Sequence, residues 1–298
     1  MSVTVSLEEV KFFQEKLNKV RSEVSKIIVG QHKIIDSMIK GIICDGHILI
    51  EGVPGIAKTL LVKAFAIVTG CTYKRIQFTP DLLPADITGI TAYNEKTKEF
   101  YTVKGPVFAN FIIADEINRA SPKVQSALLE AMQEKQVTIG RDTFKLPPPF
   151  FVIANSNPIE SEGVYNLPEA QLDRFLFKLI MTYPSLEEEK NVLKKNISIY
   201  KFEDFGLKPA LNQDDIVKLQ NLVKSIYFGE RVEQYIIQIV DATRNPHKYK
   251  LSLGKFIELG CSPRATISLY IAGKAEALLN GENFVTPQHI KNIAHDVL

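Results

Sequence analysis

Cysteine is scarce: Cys44, Cys71 and Cys261 are the only three in 298 residues. They are far apart, odd in number and form no Cys-x-x-Cys pair, which excludes the paired motifs that bind zinc or do redox work. The expectation is buried thiols in a reducing cytosol. An excess of charge of one sign is also missing. Thirty-six Lys and Arg against 34 Asp and Glu leave a formal net charge of +2, so no footprint for nucleic acid or an anionic membrane stands out. Long apolar runs are lacking too. Lys and Glu interrupt the N-terminus where a signal peptide needs an unbroken apolar stretch, and no later stretch approaches the roughly 20 residues of a membrane span. A cytoplasmic location without membrane insertion is expected. Internal repeats and low-complexity tracts are absent, which removes solenoid and linker readings.

What remains is an ordinary globular composition, 45% apolar and 23% charged, with length for one large or two modest domains. Ser6 followed by Glu9 is a capping-box pattern, and Val10, Phe13, Leu17 and Val20 recur at helical spacing behind it. After a turn at Val29-Gly30-Gln31, the run Ile34, Ile35, Met38, Ile39 and Ile42 predicts a second helix leading into a short apolar strand, His47 to Ile50. A third helix is expected from Lys58. Further strand-like runs appear at 73–78, 111–114, 150–154 and 175–181, with helical stretches such as 121–134 between them. Strands alternating with helices imply a three-layer α/β domain around a parallel sheet. Residues 90–104 and 135–147 break the alternation and read as β-hairpin insertions. Beyond Pro184 the strand signals fade, and Ser262-Pro263 and Thr286-Pro287 mark helix starts. The expected division is therefore an α/β core over 1–184 and an all-α domain over 185–298.

The strongest chemical signal is EGVPGIAKT, Glu51 to Thr59, between a predicted buried strand and a predicted helix. Glycines let a loop wrap a phosphate with inward N–H groups, the helix N-terminus adds a positive dipole end, Lys58 bridges β- and γ-phosphates, and the Thr59 hydroxyl suits Mg²⁺. Gly52, Val53, Pro54, Gly55, Ile56, Ala57, Lys58, Thr59 and Leu60 form the expected cofactor-binding stretch. Ala57 stands where the general pattern has its second glycine, which is tolerable where φ is negative.

FIIADE, Phe111 to Glu116, follows as an apolar strand ending in two acids. Asp115 would hold the hydration shell of Mg²⁺, and Glu116 would orient and deprotonate the attacking water. FVIANSNP, Phe151 to Pro158, offers Asn157 to the γ-phosphate or the lytic water, with Asn155 as the alternative donor. Arg174 in LPEAQLDRF and Arg264 in CSPRA suit charge neutralisation, because a guanidinium stays charged and grips phosphate bidentately. Alone, each arginine reads as a surface residue or a salt bridge. In company with the other motifs the balance shifts.

The order EGVPGIAKT, ADEINRASPKVQSALLEAMQE, ANSNPIESEGVYNLPEAQLDRF, LGCSPRA resembles the MoxR family of AAA+ ATPases. The resemblance runs from Ile28 to the final helix, and QFTPDLLPADITG and GPVFAN are also similar to stretches typical of that family. It implies ATP and Mg²⁺ as cofactors, Lys58 and Thr59 in Walker A, Asp115 and Glu116 in Walker B, and Asn157 as sensor 1. It further implies Arg264 as sensor 2 on a helical lid, Arg174 as an arginine finger reaching a neighbouring subunit's nucleotide, and Ile28, Val29 and Gly30 lining the adenine pocket. The hairpins correspond by resemblance to inserts that face the pore of a ring, with a hexamer as the expected assembly. Such ATPases remodel, mature or insert metal into client proteins, often beside a protein with a von Willebrand A-type domain. A nucleic-acid-translocating motor is the alternative, against which the near-neutral charge weighs. A small GTPase or nucleotide kinase lacks support, since no Asn-Lys-x-Asp signature is present.

Overall fold

The computed structural model describes residues 5–52, 58–156, 164–194 and 202–298. In chain order the elements are α1 (Leu7–Val24), α2 (His32–Ile43), β1 (Ile48–Gly52), α3 (Lys58–Val68), β2 (Tyr73–Gln77), α4 (Pro84–Thr88), β3 (Gly89–Asn94), β4 (Glu99–Lys104) and β5 (Phe111–Asp115). They continue with α5 (Pro122–Glu134), β6 (Gln136–Ile139), β7 (Asp142–Lys145), β8 (Phe151–Ser156), α6 (Glu169–Leu172) and β9 (Phe177–Met181). After β9 come α7 (Leu186–Lys194), α8 (Gln213–Ser225), α9 (Glu230–Arg244), α10 (Pro263–Leu279) and α11 (Pro287–Val297).

Five strands form one parallel sheet in the order β2-β5-β8-β1-β9. Its central strands are apolar at nearly every position because both faces are covered. Side-chain alternation then sorts the residues into two cores. Ile48 and Ile50 of β1, Phe111 and Ile113 of β5, and Phe151 and Ile153 of β8 face one core, which they share with α2 and α3. Leu49, Ile112, Ala114, Val152 and Ala154 face the other, against α5. The α/β three-layer expectation is met. Both insertions are antiparallel hairpins, β3 with β4 and β6 with β7. Gly89 at the root of the first has φ +110°, and a Cβ there would lie 2.2 Å from the Val103 carbonyl oxygen, so only glycine fits.

After β9 the described chain is helical, with one isolated bridge between Tyr227 and Phe284. These helices do not form a separate core. Residues of α8, α9, α10 and α11 belong to the same apolar cluster as α1, α2, α3 and one face of the sheet. A buried ion pair, Lys40 of α2 with Glu276 of α10 at 3.1 Å, crosses that junction, and Ser37 Oγ donates to Asp296 Oδ2 at 2.6 Å nearby. The cysteines are free and half-buried rather than fully buried, because each sits near the end of an element instead of in its packed middle. Burial pushes the Cys44 thiol up, and that of Cys71 up to about 11. Among the described residues no helix is long and apolar enough to cross a membrane.

Candidate active site

All five strands end at one edge of the sheet, at Gly52, Gln77, Asp115, Ser156 and Met181, and three of these last positions carry polar side chains. Ligands of open parallel sheets bind at this carboxyl edge. Lys58 opens α3 beside it, and its Nζ donates to the carbonyl oxygen of Gly52 at 2.7 Å. Burial lowers the Lys58 pKa, while Asp115, Glu116 and Glu51 act against that shift. The ammonium therefore lies within the field of both carboxylates of β5. Thr59 is exposed and Leu60 half-buried on the first turn. Val53, Pro54, Gly55, Ile56, Ala57 and Asn157 lie outside the described residues.

The carboxylates are held by a closed set of side chains. Asn155, buried at the end of β8, donates from Nδ2 to Asp115 Oδ1 at 2.5 Å and accepts at Oδ1 from the Glu116 backbone N–H at 2.7 Å. The register that sets Ala114 beside Ala154 makes this possible, because the next residue on each strand is then side by side at the edge. Glu116 itself has φ +57°, a left-handed conformation uncommon outside glycine. From β2, Arg75 Nε donates to Asp115 Oδ2 at 2.8 Å, its second nitrogen Nη2 bonds the same oxygen, and Gln77 Nε2 donates to Glu116 Oε2 at 2.8 Å. Arg119 Nε lies 3.1 Å from Glu116 Oε2.

Sequence reasoning weighed Asn155 only as an alternative and missed Arg75 and Gln77. The available signal was two long polar side chains at period two in the strand-like run 73–78; that this strand neighbours the acidic one appears only in the structure. Among the described residues no group of three His, Cys, Asp or Glu forms a metal site by itself. The donors present, the Thr59 hydroxyl and the Asp115 carboxylate, fit a magnesium ion that takes its remaining ligands from phosphate and water.

Ile28 is buried, and Val29 and Gly30 are half-buried, beside the same edge. Gln31 Nε2 donates to the Thr182 carbonyl oxygen at 3.3 Å, one residue past β9. Gly30, with φ +65°, has the Glu188 carboxylate where a Cβ would stand. This segment thus walls the edge between β9 and the first turn of α7.

The two arginines are elsewhere. Arg174 and Arg264 line one cavity of about 240 Å³ together with His47, Met132, Gln133 and Asp173. His47 immediately precedes β1, so the cavity opens at the amino edge of the sheet, with the length of β1 between it and Lys58. Arg264, expected among the cofactor-binding residues, stands at the start of α10 and is brought together with Arg174 in this cavity. Arg174 Nε is buried and has no hydrogen-bond partner among the described residues. His47 does not add charge, because burial pushes its pKa down to about 4. Its Nδ1 accepts from the Val152 N–H, leaving Nε2 to donate to the Met132 carbonyl oxygen, both at 3.1 Å.

Comparison with known proteins identifies the fold and the family. Residues 47–177 match the family described as "ATPase family associated with various cellular activities (AAA)", and residues 254–298 match an AAA lid domain. The chain is 46% identical to Chaperone MoxR1 of Mycobacterium tuberculosis over 95% of its own length and 74% of that protein's. It is 28% identical to Protein MoxR of Paracoccus denitrificans over 95% of its length and 87% of that relative's. A crystal structure of a Cytophaga hutchinsonii protein, 45% identical, superposes with a TM-score of 0.90 over 98% of this chain and 88% of the other.

Proposed function

The chain belongs to the MoxR family of AAA+ ATPases, and from that premise we propose that it hydrolyses ATP at a site split between two protomers of a ring and uses the cycle to remodel client proteins. In this reading the triphosphate lies against the stretch from Gly52 to Leu60, with Lys58 leaving the Gly52 carbonyl to bridge the terminal phosphates. Ile28, Val29 and Gly30 contact the adenine. Thr59 and Asp115 hold the magnesium ion, which when bound neutralises charge on the phosphate oxygens. Glu116 takes the proton of the attacking water, and Asn155, through its two bonds to the β5 end, keeps both carboxylates aimed. Asn157 is the γ-phosphate donor.

Arg174 and Arg264 line one cavity at the amino edge, whereas Lys58 opens α3 at the carboxyl edge, and this separation supports a role outside the chain's own site. Both are assigned to the nucleotide of the next subunit, where Arg174 Nε, without a hydrogen-bond partner among the described residues, would find a phosphate oxygen. A head-to-tail contact of this kind closes into a ring, which we take as a hexamer. The division into a core over 1–184 and a lid over 185–298 belongs to the same reading; the last strand ending at Met181 supports it. Chaperone-like work on clients, together with a von Willebrand A-type partner protein, follows from the family and from the name of the mycobacterial relative.

The observation that carries the reading is the convergence of Lys58, Asp115 and Glu116 on one edge with the two arginines on the other. Glu116→Gln should keep nucleotide affinity and reduce hydrolysis by at least about a hundredfold, as expected for loss of a general base. Equal turnover in wild type and variant would refute the assignment.

A further inference from the structure

Asp115 has no free oxygen. Its Oδ1 is taken by Asn155 at 2.5 Å, and its Oδ2 by Arg75 Nε at 2.8 Å and by Nη2 of the same guanidinium. The two partners differ in one respect that matters. Asn155 is buried at 5% exposure and pinned by the Glu116 N–H, whereas the Arg75 side chain is 50% exposed on the outermost strand of the sheet. One partner is fixed, and the other can swing into water with its charge solvated.

We propose that Arg75 is a displaceable internal counter-ion: it occupies Asp115 in the metal-free protein and withdraws from Oδ2 when a divalent cation arrives with the nucleotide, so that it sets the magnesium requirement of the site. The proposal rests on the reading that Asp115 faces the metal. A guanidinium and a dication cannot share one carboxylate oxygen, because like charges at that separation repel strongly in a partly buried setting. Without Arg75, a carboxylate only 14% exposed would lose its hydrogen-bonded counter-ion and keep only the field of Lys58 and the Asn155 amide whenever the metal is absent. The connection reaches further. Arg75 Nη2 also donates to Gln77 Oε1 at 2.6 Å, and Gln77 holds Glu116 Oε2. Departure of Arg75 therefore releases one restraint on Gln77, and through it on the Glu116 carboxylate.

The test follows magnesium titrated into protein saturated with a fluorescent, non-hydrolysable ATP analogue, for wild type, Arg75→Met, Arg75→Lys and Arg119→Met. Arg75→Met should lower the half-saturating magnesium about three- to tenfold, in the range of a lost charge-assisted pair, with analogue affinity in EDTA unchanged. Arg75→Lys, which keeps the charge but not the fork, should fall between. Arg119→Met removes a neighbouring cation that pairs with Glu116 instead, and should move the requirement by less than about twofold. An unchanged or raised requirement in Arg75→Met, or an equal shift in Arg119→Met, overturns the proposal. If Arg75→Met does not melt cooperatively, Arg75→Lys decides, and a wild-type requirement there overturns it too. Analogue binding to wild type that ignores magnesium altogether would instead sink the metal reading of Asp115, a distinguishable result.

Discussion

At the scale of single residues, the acids and amides at the carboxyl edge do two kinds of work. Asp115 and Glu116 were legible in the sequence because an apolar run ending in Asp-Glu after a phosphate-loop pattern has few other readings. Asn155 was only half legible: its neighbour two residues on looked equally apt, and the parallel register that brings Asn155 to Glu116 depends on long-range pairing that no local pattern contains. His47 was read merely as the start of a strand. Its ring links the Met132 carbonyl to the Val152 N–H, and burial lowers its pKa from 6.5 to about 4. Between those two values the unfolded chain binds the extra proton and the folded chain does not, so stability is complete above the upper value and falls as pH drops toward the lower one. Urea unfolding of wild type should lose about 2 kcal/mol from this group between pH 7 and pH 5. His47→Gln, which has a donor and an acceptor but no proton to gain, should show a correspondingly smaller drop; an identical pH dependence would remove His47 as the cause.

At the scale of elements, the alternation of β1, β5 and β8 between two cores explains why their existence was plain while their ends were not. The apolar runs stop at Ile50 and Ala154, but the strands continue two residues further to form the edge: β1 runs to Gly52 and β8 to Ser156. Both hairpins were visible as interruptions with turn residues between short β-rich runs. The sharing of one core by α8–α11 and the N-terminal helices was not visible, since nothing in a helix's own pattern says which neighbour its apolar face meets. The Lys40–Glu276 pair makes that junction measurable. Burial alone would raise the Glu276 carboxyl, yet Lys40, Asn292 and Asn280 hold it below its ordinary value. Glu276→Ala leaves the Lys40 ammonium buried without its partner and should destabilise the protein by about 3–5 kcal/mol. Replacing both together by Met and Leu should recover most of that loss in the same calorimetric comparison. A single variant within about 0.5 kcal/mol of wild type would show that the junction is open to water.

At the scale of the whole molecule, the chain carries half a site on each edge of its sheet: phosphate-binding and carboxylate groups on one, two arginines and an unpartnered guanidinium nitrogen on the other. Both sets of residues were legible in the sequence, but the meeting of Arg264 with Arg174 was not, because the path of α10 depends on its packing into the shared core and not on the CSPRA motif. Under the proposed function such a molecule is complete only beside a second copy of itself. The most direct test mixes two inactive variants, Glu116→Gln, which keeps its arginines, and Arg174→Ala, which keeps its carboxylates. Each alone should hydrolyse ATP slowly, while an equal mixture allowed to reassemble should recover roughly a quarter of wild-type turnover, the share of contacts that pair an intact edge with an intact arginine in random head-to-tail mixing. No recovery in the mixture, or wild-type turnover in Arg174→Ala by itself, would contradict the shared site.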